Sequence, residues 1–565
     1  MRTSLRLLVL LSLASPGCII YADDKLGDTG ASAPSDDGSE PEPDPLGPDT
    51  GDTGDDEPDT GAPLLDEDGD GHLAPEDCDD TNPAVNPAAA EICDDGIDNN
   101  CDGGAPDCRL TDEQDVLDVA DTVFQGAGSE DRFGATLSTA GDVNGDGLPD
   151  LLIAARGAPS GASAVHLFLS PSSGFVNAAA ADATLVSALG LDGLGAGIAP
   201  LGDLDGDGYD DFALSAPQAP DLAAEPLAAQ VISVFSGPLS GTATTLTADA
   251  WLPPLAVGDG TGLRIGAPGD VTGDGVADLL IAAPGASVTS GDLAGKVYLL
   301  EGPWRREESL RDAIATFTGD EAGARAGAGA ATGAGDIDGD GQPDLLITSP
   351  DAPAGGDPGR GAAWILTRGA SGLVDLAYAD VRISGLSQGD AFGASAVALG
   401  DLDADGYDDV LIGAPGADLG AVDAGAAFVF SGGPALSGAL DAGDADFLML
   451  GVLSGAGAGT AVGAPGDLDG DGRADLAVGD PLGLDAAGRG AVGLMYGPVA
   501  GTSDLEDADL IVIGSTAGAG VGLSMAGAGD TDGDGLGELL FGAELTSPSG
   551  LVTAGAAYLV RGRGL

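Results

Sequence analysis

The sequence predicts an all-β protein: a seven-bladed β-propeller with four antiparallel strands per blade, preceded by a disordered acidic tether and a small disulfide and metal module. Three observations predict it. A marker of Gly-Asp, an acidic loop and an apolar run occurs seven times, with its first loop aspartate at 142, 203, 270, 336, 401, 467 and 530. The spacings are 61, 67, 66, 65, 66 and 63 residues. A period in the sixties, with short apolar runs and no helical periodicity, suits one four-stranded sheet per repeat. The third observation concerns closure. The strand-like segment Val119–Phe124 precedes the first repeat, whereas the last repeat has no fourth strand of its own. The N-terminal strand therefore completes the final sheet, and a ring closed this way leaves no unpaired edge.

Composition narrows the function. Among 565 residues there are 93 Asp+Glu and 19 Lys+Arg, a formal charge of −74. Such a chain repels phosphates, which excludes nucleic acid as a partner, and it collects cations. Hydrophobic residues make up 43%, too many for a wholly disordered chain. The only histidines are His72 and His166, so histidine triads and His-rich zinc sites are not the theme.

From the N-terminus, Arg2 and Arg6 precede a short, largely apolar run, Leu7 to Ala14, which Ser15-Pro16-Gly17-Cys18 follows. Residues 1–17 read as an export signal, too short to span a membrane. The Gly17-Cys18 end resembles a bacterial lipobox, which implies lipidation of Cys18, although Ser15 and Pro16 depart from the usual pattern. Ordinary cleavage without lipid is the alternative. Five cysteines are present, and four of them (Cys78, Cys93, Cys101 and Cys108) can pair as two disulfides of open connectivity, leaving Cys18 as the odd one. Residues 18–65 read as a self-repelling acidic tether, with almost no large apolar side chains over about 23–63. Residues 66–108 form the Asp/Cys-rich module. Asp66, Asp68 and Asp70 stand at positions 1, 3 and 5 of a calcium loop, Gly71 at 6 and Asp77 at 12, which is EF-hand spacing without visible flanking helices. The segment resembles an Asp/Cys-rich metal-binding motif of bacterial surface proteins and also a thrombospondin calcium repeat. An acidic, disulfide-stapled spacer without a defined site is the other reading.

Residues 117–565 hold the repeats. A glycine lies eight residues before the first loop aspartate in six of seven (Gly134, Gly195, Gly262, Gly393, Gly459 and Gly522) and nine before it at Gly327. Phe133-Gly134, the loop Asp142–Asp150 and turns such as Gly413-Ala414-Pro415 resemble FG-GAP repeats. The resemblance implies the seven-bladed propeller of integrin α subunits and of bacterial surface proteins, with calcium held on one face by the turn between two strands of a blade.

Each loop runs D-x-[D/N/T]-x-D-G-x-x-[D/E], and the oxygens at positions 1, 3, 5 and 9 are expected to converge on Ca²⁺, a hard cation that takes oxygen ligands. The expected ligands are Asp142, Asn144, Asp146 and Asp150 in the first copy, then Asp203, Asp205, Asp207 and Asp211. The third copy has Asp270, Thr272, Asp274 and Asp278, and the fourth Asp336, Asp338, Asp340 and Asp344. Asp401, Asp403, Asp405 and Asp409 follow, then Asp467, Asp469, Asp471 and Asp475, and finally Asp530, Asp532, Asp534 and Glu538. Thr272 is a poor ligand and marks the weakest site, whereas Glu538 reaches further. Plain acidic β-turns are the bland alternative. These positions hold 26 of the 65 acidic residues after residue 110, so about seven Ca²⁺ ions, with one or more in 66–108, would be required for folding.

No metalloprotease, nucleophile-elbow or P-loop motif is present, and the chain reads as non-enzymatic. His166 reads as a strand surface residue. Trp304-Arg305-Arg306 reads as a solvated connector with a helical turn, or as an anchor for an acidic partner. The expectation is a monomeric, exported, lipid-anchored surface module that binds a protein or glycan through its propeller. The alternative is a metal- or matrix-binding protein acting through residues 66–108, and the third reading is a propeller-based hydrolase.

Overall fold

The computed structural model describes residues 112–563 except 158–162, 189–192, 218–230, 257, 290–291, 305, 354–356, 368 and 485–486, together with scattered positions between 72 and 101. The expectations for the signal, Cys18, the tether, Asp66, Asp68, Asp70, Asp77, Cys93 and Cys108 lie outside the described residues. Cys78 and Cys101 are joined as a disulfide.

The strands form seven sheets arranged as the blades of a propeller. Blade 3 is representative. Its first strand, Ile265–Gly269, pairs antiparallel with Asp278–Ala283, which pairs with Lys296–Leu300, which pairs with Ala315–Thr318. The second strand is buried along its whole length, so it reads as a continuous apolar run rather than an alternating one. The ring closes through the N-terminal segment: Thr122–Gln125 pairs antiparallel with Ala556–Arg561 as the fourth strand of blade 7. This is the closure expected for the segment around Val119–Phe124.

Each blade also has a fifth strand that the sequence reading did not anticipate. In blade 3 it is Gly372–Asp375, lent by the following repeat and paired parallel to Ala315–Thr318. The same lending occurs around the ring, and blade 6 receives Asp112–Asp115 from the N-terminus. Two N-terminal strands therefore tie blades 6 and 7.

The core lies between neighbouring blades. Leu280, Phe317, Leu345, Ile347 and Trp364 pack blade 3 against blade 4, and Phe124, Phe133, Phe168, Leu540 and Leu559 pack blade 7 against blade 1. The repeated glycine before each loop has a steric cause. Gly134 sits at φ +89°, and a Cβ there would meet the Ala556 carbonyl oxygen at 2.4 Å. Its six counterparts also have positive φ.

Two expectations change. His166 is not a surface residue: it is half-buried, its ring 5.6 Å from that of Phe133, and burial pushes its pKa down. Trp304 is buried rather than solvated, against Leu204, Val234 and Leu310. The expected helical turn does occur, at Leu310–Asp312, but Arg306–Glu307 form the fifth strand of blade 2. Trp304 lines a cavity of about 410 Å³ together with Asp205, Asp249 and Arg306.

Candidate metal centres

Every acidic loop joins the first and second strands of its blade and is held by its own aspartates. In blade 2, Asp203 accepts hydrogen bonds from the N–H groups of Gly206 (2.7 Å), Asp207 (3.0 Å) and Gly208 (2.9 Å). The N–H of Tyr209 donates to Asp207 Oδ1 at 3.0 Å. In all seven loops the N–H groups of positions 5 and 6 donate to the position-1 carboxylate. The position-6 glycine turns the chain at φ between 85° and 94°. The backbone thus aims the carboxylates before any ion is considered.

Position 9 opens the second strand and is buried in every blade. Its two oxygens latch separate segments. In blade 5, Asp409 Oδ2 accepts the Leu402 N–H at 2.8 Å and Oδ1 accepts the Gly432 N–H at 2.8 Å. Blades 1, 2 and 6 repeat this double latch through Asp150, Asp211 and Asp475. Burial pushes the position-9 pKa up, to about 6 at Asp150, Asp211, Asp278 and Asp409 and to about 7 at Asp344, Asp475 and Glu538. Neighbouring loop carboxylates raise it further.

The structure brings positions 1, 3 and 9 together. In blades 2, 4, 5, 6 and 7, one oxygen from each lies within 4.8 Å of the other two. Calcium–oxygen distances of roughly 2.3–2.6 Å allow two ligands of one ion to stand up to about 5 Å apart, so the donor sets fit Ca²⁺. The position-5 carboxylates fall outside these groups, and their Oδ1 atoms accept the position-7 N–H in every blade. In blade 1, Asn144 Nδ2 stands 3.5 Å from Asp150 Oδ1. In blade 3, the Thr272 hydroxyl lies 3.4 Å from both Asp270 and Asp278 and bridges the two carboxylates.

Two further sets of aspartates matter that the sequence reading passed over. Asp210 and Asp408, at position 8, reach the preceding blade: Asp210 Oδ2 accepts the Asp142 N–H at 2.8 Å and Asp408 Oδ2 accepts the Asp336 N–H at 2.7 Å. Their own N–H groups return to the carbonyls of Asp142 and Asp336, so adjacent loops are stitched together. The doubled acid in Tyr-Asp-Asp at 209–211 and 407–409 was the available signal. The second set is Asp182, Asp249, Asp380, Asp446 and Asp509, just before the fourth strands. Each accepts an N–H from the end of the third strand, at 2.9–3.1 Å. Their signal was the recurrent Ala-Asp dipeptide.

Comparison with known proteins agrees with this geometry. The FG-GAP repeat family matches residues 133–168, 195–230, 264–300, 328–366 and 393–430. The Cu-binding MopE family, a metal-binding motif, matches residues 77–106. Human integrin alpha-IIb is 34% identical over 157 residues, covering 27% of this chain and 14% of that protein. Integrin alpha pat-2 of Caenorhabditis briggsae is 30% identical over 227 residues, covering 38% of this chain and 17% of that protein. The chain thus spans less than a fifth of the length of these relatives. The solved V. cholerae biofilm matrix protein Bap1 aligns over 53% of this chain and 37% of that one, with 14% identity and a TM-score of 0.24, too loose to carry an argument. Blades 6 and 7 lie beyond the family matches yet repeat the same sheet and loop. The chain is thus a seven-bladed β-propeller in which five blades match the FG-GAP repeat, residues 77–106 match the MopE-type motif, and part of the ring is similar in sequence to integrin alpha chains.

Proposed function

We propose that this chain is a non-enzymatic surface protein whose propeller is stabilised by Ca²⁺ in the acidic loops and acts as an adhesion or ligand-binding module. The observation that carries the reading is the convergence of positions 1, 3 and 9 within 4.8 Å in five blades of an integrin-alpha-like ring. The expected ligands are those at positions 1, 3, 5 and 9 of all seven loops, with position 5 acting through its second oxygen or through water. Hard oxygen donors and no thiolate select Ca²⁺ over soft metals. Calcium neutralises carboxylates that the fold holds together and buries, and so acts through folding rather than through a reaction.

The partner is a protein or glycan outside the cell, met by a monomer that reaches the surface through its export signal and a lipid on Cys18. Residues 18–65 act as the spacer. The test is binding of the full chain to arrays of matrix proteins and glycans, in millimolar Ca²⁺ and in chelator. Saturable binding that chelator abolishes supports the reading; absence of any ligand, or binding unaffected by chelator, counts against it. Replacing Cys18 with Ser releases the protein from the membrane if lipidation is correct.

A second reading places the function in residues 66–108, and the MopE-type match at 77–106 favours it. The Cys78–Cys101 disulfide removes two of the module's four thiols from metal binding there. Replacing Asp66, Asp68 and Asp70 together with Asn separates the two readings. Ligand binding survives if the propeller carries it and disappears if the module does.

A further inference from the structure

Blade 7 differs from its siblings at three positions that meet in one place. Position 9 is Glu538 instead of Asp. Position 2, which is Val, Leu or Ile in the other six loops, is Thr531; it is fully buried, and its hydroxyl donates to Glu538 Oε2. Across the sheet, Glu538 pairs directly with Arg561. One residue beyond the paired positions of blades 1 to 6, the partners of position 9 are Leu169, Ser236, Glu301, Thr367, Ser431 and Tyr496, none of them basic. Blade 7 alone places a permanent cation opposite its buried carboxylate.

Arg561 addresses the same carboxylates that would hold an ion. Its Nη1 is 3.2 Å from Asp532 Oδ2 and its Nε is 3.7 Å from Glu538 Oε1. The pair is largely removed from water, with the Arg561 side chain 20% and that of Glu538 1% exposed. A guanidinium keeps its charge at any pH the fold survives and cannot be displaced by dilution. Of the other arginines near loops, Arg473 pairs with Asp471 at position 5, away from the 1, 3, 9 group of blade 6, and Arg306 lines the blade-2 cavity with Asp205 and Asp211.

Arg561 is also the joint of the ring. Its Nη2 donates to the Ser172 carbonyl at 2.9 Å, and its N–H donates to Asp121, the residue before the N-terminal closing strand, at 3.0 Å. One side chain thus contacts the blade-7 loop and the segment leading from blade 1 to the fifth strand of blade 7.

We infer that Arg561 takes the place of the metal ion in blade 7, so that the ring-closing blade is neutralised by the chain itself and the propeller binds calcium in six blades, not seven. This rests on the calcium reading above and refines its count. It also gives the closure a logic: the blade that joins the two ends of the propeller does not come apart when calcium falls.

The test counts ions on the full chain in millimolar Ca²⁺ by isotope equilibrium dialysis or native mass spectrometry. Asp338→Ala, which removes the position-3 oxygen of blade 4, is expected to bind one ion fewer than the wild type. Asp532→Ala, at position 3 of blade 7, is expected to bind the same number, and Arg561→Met one more. An ion lost in Asp532→Ala overturns the inference while leaving the calcium reading intact. An unchanged count in Asp338→Ala overturns the calcium reading and the count of six with it. If Arg561→Met does not fold, the comparison of the two aspartate variants decides alone.

Discussion

The position-9 carboxyls make the metal-free protein sensitive to pH in an unusual direction. Burial raises them from 3.8, or 4.5 for Glu538, to about 6 or 7. Between pH 4 and 7 the folded state therefore binds more protons than the unfolded state, and stability falls as pH rises through that window. Each group costs the metal-free fold about 3–4.5 kcal/mol once ionised, since one pH unit is about 1.4 kcal/mol. Seven such groups cost about 25 kcal/mol before relaxation, more than the roughly 5–15 kcal/mol by which domains are stable. Even a third of that is large. The perturbation is a pH series from 5 to 8 in chelator, read as the urea midpoint by circular dichroism. The midpoint is expected to drop steeply between pH 5 and 7 and to level off toward pH 8. In millimolar Ca²⁺ the slope should vanish or reverse, because protons then compete with the ion for the same oxygens. A chelated protein with the same midpoint at pH 5 and pH 8 would refute the reasoning.

Other perturbations test separate links. Gly134→Ala puts a Cβ 2.4 Å from a carbonyl oxygen, whereas Gly147→Ala, at φ 92°, meets nothing within 4 Å. Both carry left-handed strain of about 1–2 kcal/mol, so thermal melts should show Gly134→Ala to be the more damaging, and equal losses would contradict the packing account. Asp210→Ala removes the acceptor of the Asp142 N–H and should cost about 1 kcal/mol in the urea midpoint; no loss would mean the stitching between loops is incidental. Ala404 occupies, at φ 62°, the position-4 slot that is Gly in the other six loops. Ala404→Gly should raise the melting temperature by a degree or two, and a lower value would argue against strain there.

Much of this architecture was legible because it repeats. Seven loops with fixed carboxylate spacing announced seven blades, and the missing fourth strand of the last repeat announced the closure by Thr122–Gln125. The fifth strands escaped notice for a physical reason. Segments such as Gly372–Asp375 and Gly438–Asp441 are four residues long, mostly exposed and paired on one side only, so no apolar run marks them. What they share is Gly at the start and a short 3₁₀ turn after the end, capped by Asp375 or Asp441. At the site, spacing revealed which residues carry oxygen but not how the backbone would share them. Position 5 looked equivalent to position 3 until its carboxylates were seen to lie outside the groups formed by positions 1, 3 and 9. Arg561 was invisible for a different reason: it lies 23 residues beyond Glu538 in sequence and becomes its neighbour only through strand pairing.

The central claim is that calcium in the loops holds the blades together. The most direct measurement is a thermal melt of the full chain at pH 7.5 in millimolar Ca²⁺, then in chelator, then with Ca²⁺ restored. A large fall in melting temperature that calcium reverses is the predicted result. A melt indifferent to chelator would mean that the acidic turns sustain the propeller through their own hydrogen bonds, and the loops would not be metal sites.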